Sequence, residues 1–545
     1  MLVFVANEGD CMFGYPRLIY GAFVVFTLAS GLALLWFEPI WLWAWWVLPV
    51  LALFGALDLA SNHNVLRNYP ILGHLRYMME FVRPELRQYF FESETSGRPF
   101  NREQRQVINA RADGKPDTSP FGTRRDIEDA GYDFVQHSMA PKDVAGRYKR
   151  IMIGGPQCSQ PYDSSRLNIS AMSFGSLSGN AVLAMNKGAK LGGFAQDTGE
   201  GAISPYHREH GGDIIWEIAS GYFGCRNKDG SFNADEFEDK ACTEQVKMIE
   251  IKLSQGAKPG HGGLLPGSKV NQEIAETREI EVGEDCLSPA SHPEFDTPVG
   301  LMQFVAKLRK LCGGKPVGFK LCLGKQYEFM AVCKAMLETG IQPDFITVDG
   351  AEGGTGAAPT EFEDFIGTYI NEALPFVHNC LVGIGKRDEI VVIASGKVAM
   401  GFDMVEKIAL GADMCNAARP FMFSVGCIQA LRCHTNTCPT GVTTQNPART
   451  RSLDVVVKAL RVRNYHDATL KSFLDIIGAM GIDSPDRLKP EHIYHRPEHG
   501  PAETYRAIHP AVAGGDFLED QIPESYAADW SRANAQSFAP QQTHQ

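Results

Sequence analysis

The chain has 545 residues, 44% of them hydrophobic and 21% charged, with a formal net charge of −12. These values exclude a disordered chain, a collagen-like repeat and a small disulfide-stapled domain. The acidic balance argues against a nucleic-acid binder, which carries a basic face. Thirteen cysteines without framework spacing point to reduced thiols, some of them candidate metal ligands.

Five of the seven tryptophans (Trp36, Trp41, Trp43, Trp45 and Trp46) lie within eleven residues. They flank the junction of two uncharged runs, Leu18–Phe37 and Ile40–Leu57, of twenty and eighteen residues. At about 1.5 Å rise per residue each run matches a bilayer core, so residues 18–37 and 40–57 read as a two-helix transmembrane hairpin. Its indole rings would lie in the headgroup layer at the turn. A cleaved signal peptide would have a shorter apolar region and no second run; a buried hairpin of a soluble protein is the other alternative. Residues 1–60 are thus expected to anchor the chain in an inner or cell membrane. Arg67, Arg76, Arg83 and Arg87 follow the second run, which places the catalytic part in the cytoplasm.

Residues 61–150 are polar and arginine-rich, with a helical stretch over Leu72–Phe91, and read as a juxtamembrane extension. From Arg166 to Ala418, strand-like apolar runs alternate with helical stretches. The runs are Leu167–Ala171, Phe194–Asp197, Ile214–Ala219, Ile249–Leu253, Val317–Leu321, Phe345–Val348, Ile390–Ala394 and Met414–Ala417. Eight such runs predict an α/β fold, a (β/α)8 TIM barrel occupying residues 151–450. The alternative, a doubly wound open sheet, would show a glycine fingerprint at its first helix, and none is present. Residues 451–545 begin with a helical segment running to about Met480. A tail rich in Pro, His and Ala follows, expected to be partly disordered after Pro523.

The sharpest local pattern lies in residues 426–440, where Cys427, Cys433 and Cys438 are spaced C-x5-C-x4-C with Pro439 behind the last. This suits an iron–sulfur cluster, either three-iron or four-iron with an outside ligand. Zinc completed by His434, or simply buried thiols, stay open on spacing alone. Glycine-bearing segments Asp349–Gly356 and Ala394–Lys397 follow two late strands, and Ala417–Pro420 follows the eighth. Loops there commonly hold phosphate, with Lys397 or Arg419 supplying positive charge. Alternation puts Glu250 and Lys252 on one strand face, and a lysine at a buried strand end needs an anion or cofactor. An ordinary ion pair or a snorkelling side chain is the plainer reading. Glu200 closes the second strand as a charge-paired residue or proton mediator.

The stretches Ala171–Ser178, Asp197–Gly201, Lys252–Gly263, Asp349–Pro359 and Gly426–Gln445 resemble the synthase domain of glutamate synthases, over about Arg166 to Arg451. The resemblance implies a barrel holding FMN and a 3Fe–4S cluster. The implied reaction is reductive amination of 2-oxoglutarate, through 2-iminoglutarate, to L-glutamate. By position, Cys427, Cys433 and Cys438 would bind the cluster. FMN would contact Ser170, Ala171, Met172 and Ser173, with Lys252 and Gln255 at the flavin edge. Gly353, Gly354, Ser395, Gly396, Lys397 and Arg419 would serve its ribityl phosphate. Lys258 and Arg278 would meet the substrate carboxylates, and Glu200 matches the family's acid beside flavin and substrate. Glu200, Lys252 and Gln255 form the expected catalytic set.

The chain departs from the full-length pattern. Leu2 stands where the glutaminase domain has its catalytic cysteine, and the first cysteine is Cys11. Neither a glutaminase domain nor the C-terminal β-helical domain is expected, so nitrogen would come from ammonia or a separate amidotransferase subunit. Electrons would come from a ferredoxin or another redox protein. His261 and Leu264 replace a common Glu and Gln, which opens N-methylglutamate synthase-like chemistry on another amine or 2-oxo acid. The expected anchor motivates a second alternative, amino-acid oxidation coupled to a membrane electron carrier, and a non-enzymatic redox sensor on the same barrel is the third.

Overall fold

The computed structural model describes residues 53–519 and 521–541. The chain divides into two compact units at Arg102/Glu103. The expected spans 18–37 and 40–57 lie outside the described residues except for 53–57, which are helical. Among the described residues no helix is long and apolar enough to cross a membrane.

In the first unit a helix over 53–60 is followed by a short one, Asn64–Asn68, and by α1, Leu72–Leu86. A wider helical turn, Arg87–Phe91, extends α1, so the helical stretch predicted over Leu72–Phe91 is present. Asp58 fixes the corner before it. Its carboxylate accepts the backbone N–H of Ile71 at 2.8 Å and pairs with His74 at 2.7 Å, and Ile71 adopts the left-handed φ of 66°.

The second unit is a closed barrel. Its strands are β1 (Leu167–Ile169), β2 (Gln196–Asp197), β3 (Ile214–Ile218), β4 (Val246–Lys252), β5 (Val317–Leu321), β6 (Phe345–Asp349), β7 (Val391–Ser395) and β8 (Met414–Ala417). Every neighbouring pair is parallel, and β8 closes onto β1. Each predicted run holds one strand, and the open-sheet alternative fails because the sheet has no edge. Helices follow each strand: α2 (Gly179–Gly192), α3 (Pro205–Arg208), α4 (Ala234–Ala241), α5 (Pro298–Leu311), α6 (Gln326–Thr339), α7 (Ile370–Gly383), α8 (Gly401–Ala409) and α9 (Val455–Ala479). Their starts are written in the sequence, since Ser178, Thr297 and Asp454 each accept a first-turn N–H.

Strands buried on both faces explain why the runs read as continuous apolar segments. An antiparallel hairpin, Arg150–Ile153 with Tyr162–Ser165, packs Ile153 and Tyr162 against Ile215, Met248, Phe345, Ile393 and Met414. It closes the end of the barrel opposite the strand C-termini.

The tail differs from expectation. Glu524–Arg532 is helical, not disordered. Trp530 packs on Phe517 at 4.9 Å, and the Lys334 ammonium donates to the carbonyls of Trp530 and Ala533 at 2.7 and 2.9 Å. These contacts order a segment whose composition alone would not.

Candidate active site

The charged centre lies at the C-terminal ends of the strands. Lys252 is the last residue of β4, and Gly199–Gly201 turns just beyond β2 to bring Glu200 across to it. The Lys252 ammonium stands 3.2 Å from Glu200 Oε2, with side chains 11% and 17% exposed, so the pair is largely desolvated. His292 Nε2 meets the Lys252 carbonyl at 2.9 Å, and the Tyr222 hydroxyl lies 3.1 Å from His292 Nδ1. Burial holds this imidazole down at about 4, neutral and fixed in place.

Lys258 and Arg278 complete the group, both buried. Arg278 donates from Nη2 to the Phe174 carbonyl at 2.8 Å, while its buried Nε has no hydrogen-bond partner among the described residues. Gly263 lies where a Cβ would strike Glu200 Oε1, so the Lys258–Gly263 loop folds directly over the carboxylate. Burial raises the Glu200 carboxyl, but Lys252, Lys258 and Arg278 overcome this and hold it at about 2. Burial also lowers the Lys258 ammonium, with Glu200 opposing. Three cations around one carboxylate, with one guanidinium donor open, form a site for an anion.

The ionised Glu200 stabilises the fold. Its depressed value means that this contribution is complete above the ordinary 4.5 and disappears as pH falls towards about 2. Glu200→Gln is therefore expected to be less stable than the parent near pH 6, with the gap narrowing as pH falls through 4. Chemical unfolding at a series of pH values checks this.

The residues expected to hold FMN converge beside this centre. Ser170 Oγ on the β1 end meets Ser395 Oγ on the β7 end at 3.3 Å. Ala171, Met172 and Ser173 follow β1, partly exposed, and Ser173 Oγ donates to Ser176 Oγ at 3.0 Å. Gln255 Nε2 reaches the Gly354 carbonyl at 3.5 Å, and Asp349 accepts the Gly256 N–H at 2.8 Å. Arg419 donates to the Glu352 carbonyl at 2.8 Å, next to Gly353 and Gly354. Burial pulls its guanidinium down to about 10. A Cβ on Gly354 would fall 2.7 Å from Arg419 Nε. Ser395-Gly396-Lys397 turns sharply, with Lys397 at φ 49°. Open backbone and two cations at late barrel loops fit a phosphate-bearing cofactor. Gly354→Ala is expected to displace Arg419 and weaken FMN binding by about tenfold or more, measured by flavin fluorescence titration.

The cysteine loop follows β8. Cys427 and Cys433 are partly exposed and Cys438 is buried. Gln429, Leu431 and Asn436 all take left-handed φ, at 57°, 54° and 59°, so the loop is tightly turned around its thiols. Cys427 Sγ accepts the Gln429 N–H at 3.4 Å, and Cys438 Sγ lies 3.5 Å from Thr440 Oγ1. Burial pushes the Cys427 thiol up to about 12. For Cys438 burial raises, yet hydrogen bonds from Thr443 and Thr440 bring the net below the ordinary value. Among the described residues, only Asp197, Glu217 and Glu250 bring three ligand atoms within 4.8 Å of one another. Three thiols on one tightly turned loop, with polar donors at Cys427 and Cys438, fit a metal centre held by thiolates.

Several residues escaped the sequence reading. Lys269, 2% exposed, donates to the carbonyls of Ser176 and Cys433 at 2.9 and 3.1 Å and ties the first barrel loop to the cysteine loop. Inside the barrel the Lys320 ammonium contacts Glu217 and lies 3.4 Å from Glu250 Oε1, while Thr347 donates to Glu250 Oε2 at 2.6 Å. Glu250 and Lys252 do share the interior face, yet each pairs elsewhere. The signal was a lone lysine within the apolar run Val317–Leu321.

The fold and the site together define a closed parallel α/β barrel with three cations around one carboxylate at its mouth. A family profile described as "Conserved region in glutamate synthase" matches residues 149–483. The glutamate synthase large subunit-like protein YerD of Bacillus subtilis is 38% identical over 503 residues, covering 85% of this chain and 94% of that one. An archaeal glutamate synthase (NADPH) of Methanocaldococcus jannaschii is 38% identical over 322 residues, 59% of this chain and 60% of its own length. This chain therefore spans about three fifths of that archaeal relative. The chain belongs to the glutamate synthase family and is an oxidoreductase.

Proposed function

We propose that the protein catalyses reductive amination of 2-oxoglutarate to L-glutamate, through 2-iminoglutarate, with FMN in the barrel mouth. A 3Fe–4S cluster would sit on Cys427, Cys433 and Cys438. The observation that carries this reading is the convergence of Lys252, Lys258 and Arg278 on Glu200, next to the Gly354–Arg419 cradle. When bound, FMN supplies hydride chemistry and the cluster one-electron relay. Lys258 and the open Nε of Arg278 hold the substrate carboxylates. Lys252, with Gln255 at the flavin edge, presents positive charge where negative charge develops. Glu200, held at about 2, serves as the fixed counter-charge that orients Lys252 rather than as a proton mediator in the free enzyme. The Lys258–Gly263 loop over Glu200 excludes water.

The electron donor in this reading is a ferredoxin or another redox protein, and nitrogen arrives as ammonia or from a separate amidotransferase. The apolar runs 18–37 and 40–57 motivate a membrane hairpin with the barrel on the cytoplasmic side. Leu264 offers no polar atom, and the His261 ring meets Phe362 edge-on at 5.2 Å, which leaves room for a different amine or 2-oxo acid. One experiment separates these: anaerobic reduction of the reconstituted protein, then mixing with 2-oxo acids and ammonia or simple amines. Flavin reoxidation with L-glutamate formation supports the proposal. Absence of bound flavin, or no reoxidation by any pair, overturns it.

A further inference from the structure

We propose that α1 and the turn behind it lie flat in the headgroup layer of a phospholipid bilayer, as a second, in-plane contact beyond the two expected spans. The inference rests on the hairpin reading, because it uses the point where the second apolar run ends.

The aliphatic residues of the helix gather on one side, although Tyr77, Phe81 and Phe91 are exposed outside that side. At 100° per residue, Leu72, Leu75, Met78, Met79, Leu86 and Phe90 fall within one arc about 120° wide. Their exposures are 70%, 53%, 50%, 47%, 37% and 77%, so the arc faces outward along its whole length. Gly73 is the one buried residue of α1. An apolar stripe of this extent in water costs free energy at every position unless something covers it.

Two observations select a membrane as the cover. First, the flank of the stripe carries Arg76, Arg83 and Arg87 within about 60° of its edge. Arg83 and Arg87, 72% and 68% exposed, stand 3.5 and 3.6 Å from Glu80 and the largely buried Glu92, so both guanidinium groups stay within reach of lipid phosphate. A stripe of Leu, Met and Phe beside such a rim is the pattern of interfacial helices. Second, the start of α1 is fixed at the depth where the apolar run ends. Asp58 immediately follows that run, is 5% exposed, and holds both the Ile71 N–H and the His74 ring. A span ending at Leu57 puts Asp58 at the edge of the hydrocarbon, and this clasp puts the first turn of α1 there too.

The test uses the full chain. Hydrogen exchange of peptides spanning residues 72–91 is compared in phospholipid nanodiscs and in amphipol, for the parent and for a Leu75→Glu, Phe90→Glu double variant. Carbonate extraction from native membranes reports separately on the hairpin. The expected result is at least about tenfold slower exchange in nanodiscs than in amphipol, a difference lost in the variant while both chains resist extraction. Equal exchange in the two media overturns the proposal. So does equal protection in amphipol accompanied by a dimer or a bound protein, since the stripe is then covered by polypeptide. If carbonate releases the parent chain, the hairpin reading fails by itself. Flotation with phosphatidylglycerol vesicles then decides α1: a floating parent and a sedimenting variant support the in-plane contact, and a parent that does not float overturns it.

Discussion

Lys252→Met is expected to lower turnover by about 10²–10³-fold while the protein still binds FMN with near-parental affinity. The side chain ends β4 with its ammonium 3.2 Å from Glu200 and its carbonyl held by His292, so its position is set by the scaffold before any ligand arrives. Methionine keeps the length and the apolar stem but removes the one charge aimed at the reacting centre. The Glu200 carboxylate then keeps only Lys258 and Arg278 as compensation, and its value moves up towards the ordinary range. Flavin content measures binding, and anaerobic reoxidation by 2-oxoglutarate plus ammonia measures turnover. A variant that binds flavin and turns over at the parental rate removes Lys252 from the chemistry. Lys252→Arg, which keeps the charge on a longer head, is expected to recover part of the rate.

Lys320→Met is expected to cost about 3–5 kcal/mol of stability, because it leaves buried carboxylates without their cation. Glu217, Glu250 and Asp197 are each at most 2% exposed and share this one ammonium at close range. Burial, with Glu250 and Glu217 nearby, already raises Asp197 well above its ordinary value. Burial raises Glu250 as well, with Lys320 opposing. Without Lys320 these values rise further. The folded state then binds more protons than the unfolded one, and stability falls as pH rises above the ordinary carboxylate range. The variant should therefore regain stability on acidification from pH 7.5 to 5.5, and a second change, Glu217→Gln, should restore part of the loss at pH 7.5. Urea unfolding of the four combinations reads both effects. A Lys320→Met protein as stable as its parent at pH 7.5 rules out this account of the core.

The barrel was legible in the sequence for a physical reason. Strands covered by helices outside and side chains inside are apolar for their whole length, and all eight runs, from Leu167 to Ala417, became strands. The ends of those strands were legible as well, since Glu200 and Lys252 each stood out as a charge where burial is costly. Their pairing was not, because 52 residues separate them and only the side-by-side pairing of β2, β3 and β4 brings the two strand ends together. Lys269 was invisible for a similar reason. It lies on a short turn, Gly267–Lys269, and gains meaning only from the carbonyls of Ser176 and Cys433 around it. The cysteine spacing raised the expectation of a metal loop, whereas the three left-handed turns that fold it needed coordinates. The helix at Glu524–Arg532 was hidden behind a tail composition typical of disorder, and docking of Trp530 decides its state.

The hairpin over Arg150–Ser165 has a kinetic consequence. With Ile153 and Tyr162 packed across one end, and Lys320 with its carboxylates filling the middle, ligands are left the end at the strand C-termini, where Lys252 and Glu200 lie. On the proposed function, a dicarboxylate seated across Lys258 and Arg278 would occupy the open end by which a second reactant has to come, so the order of binding would follow from access to the mouth.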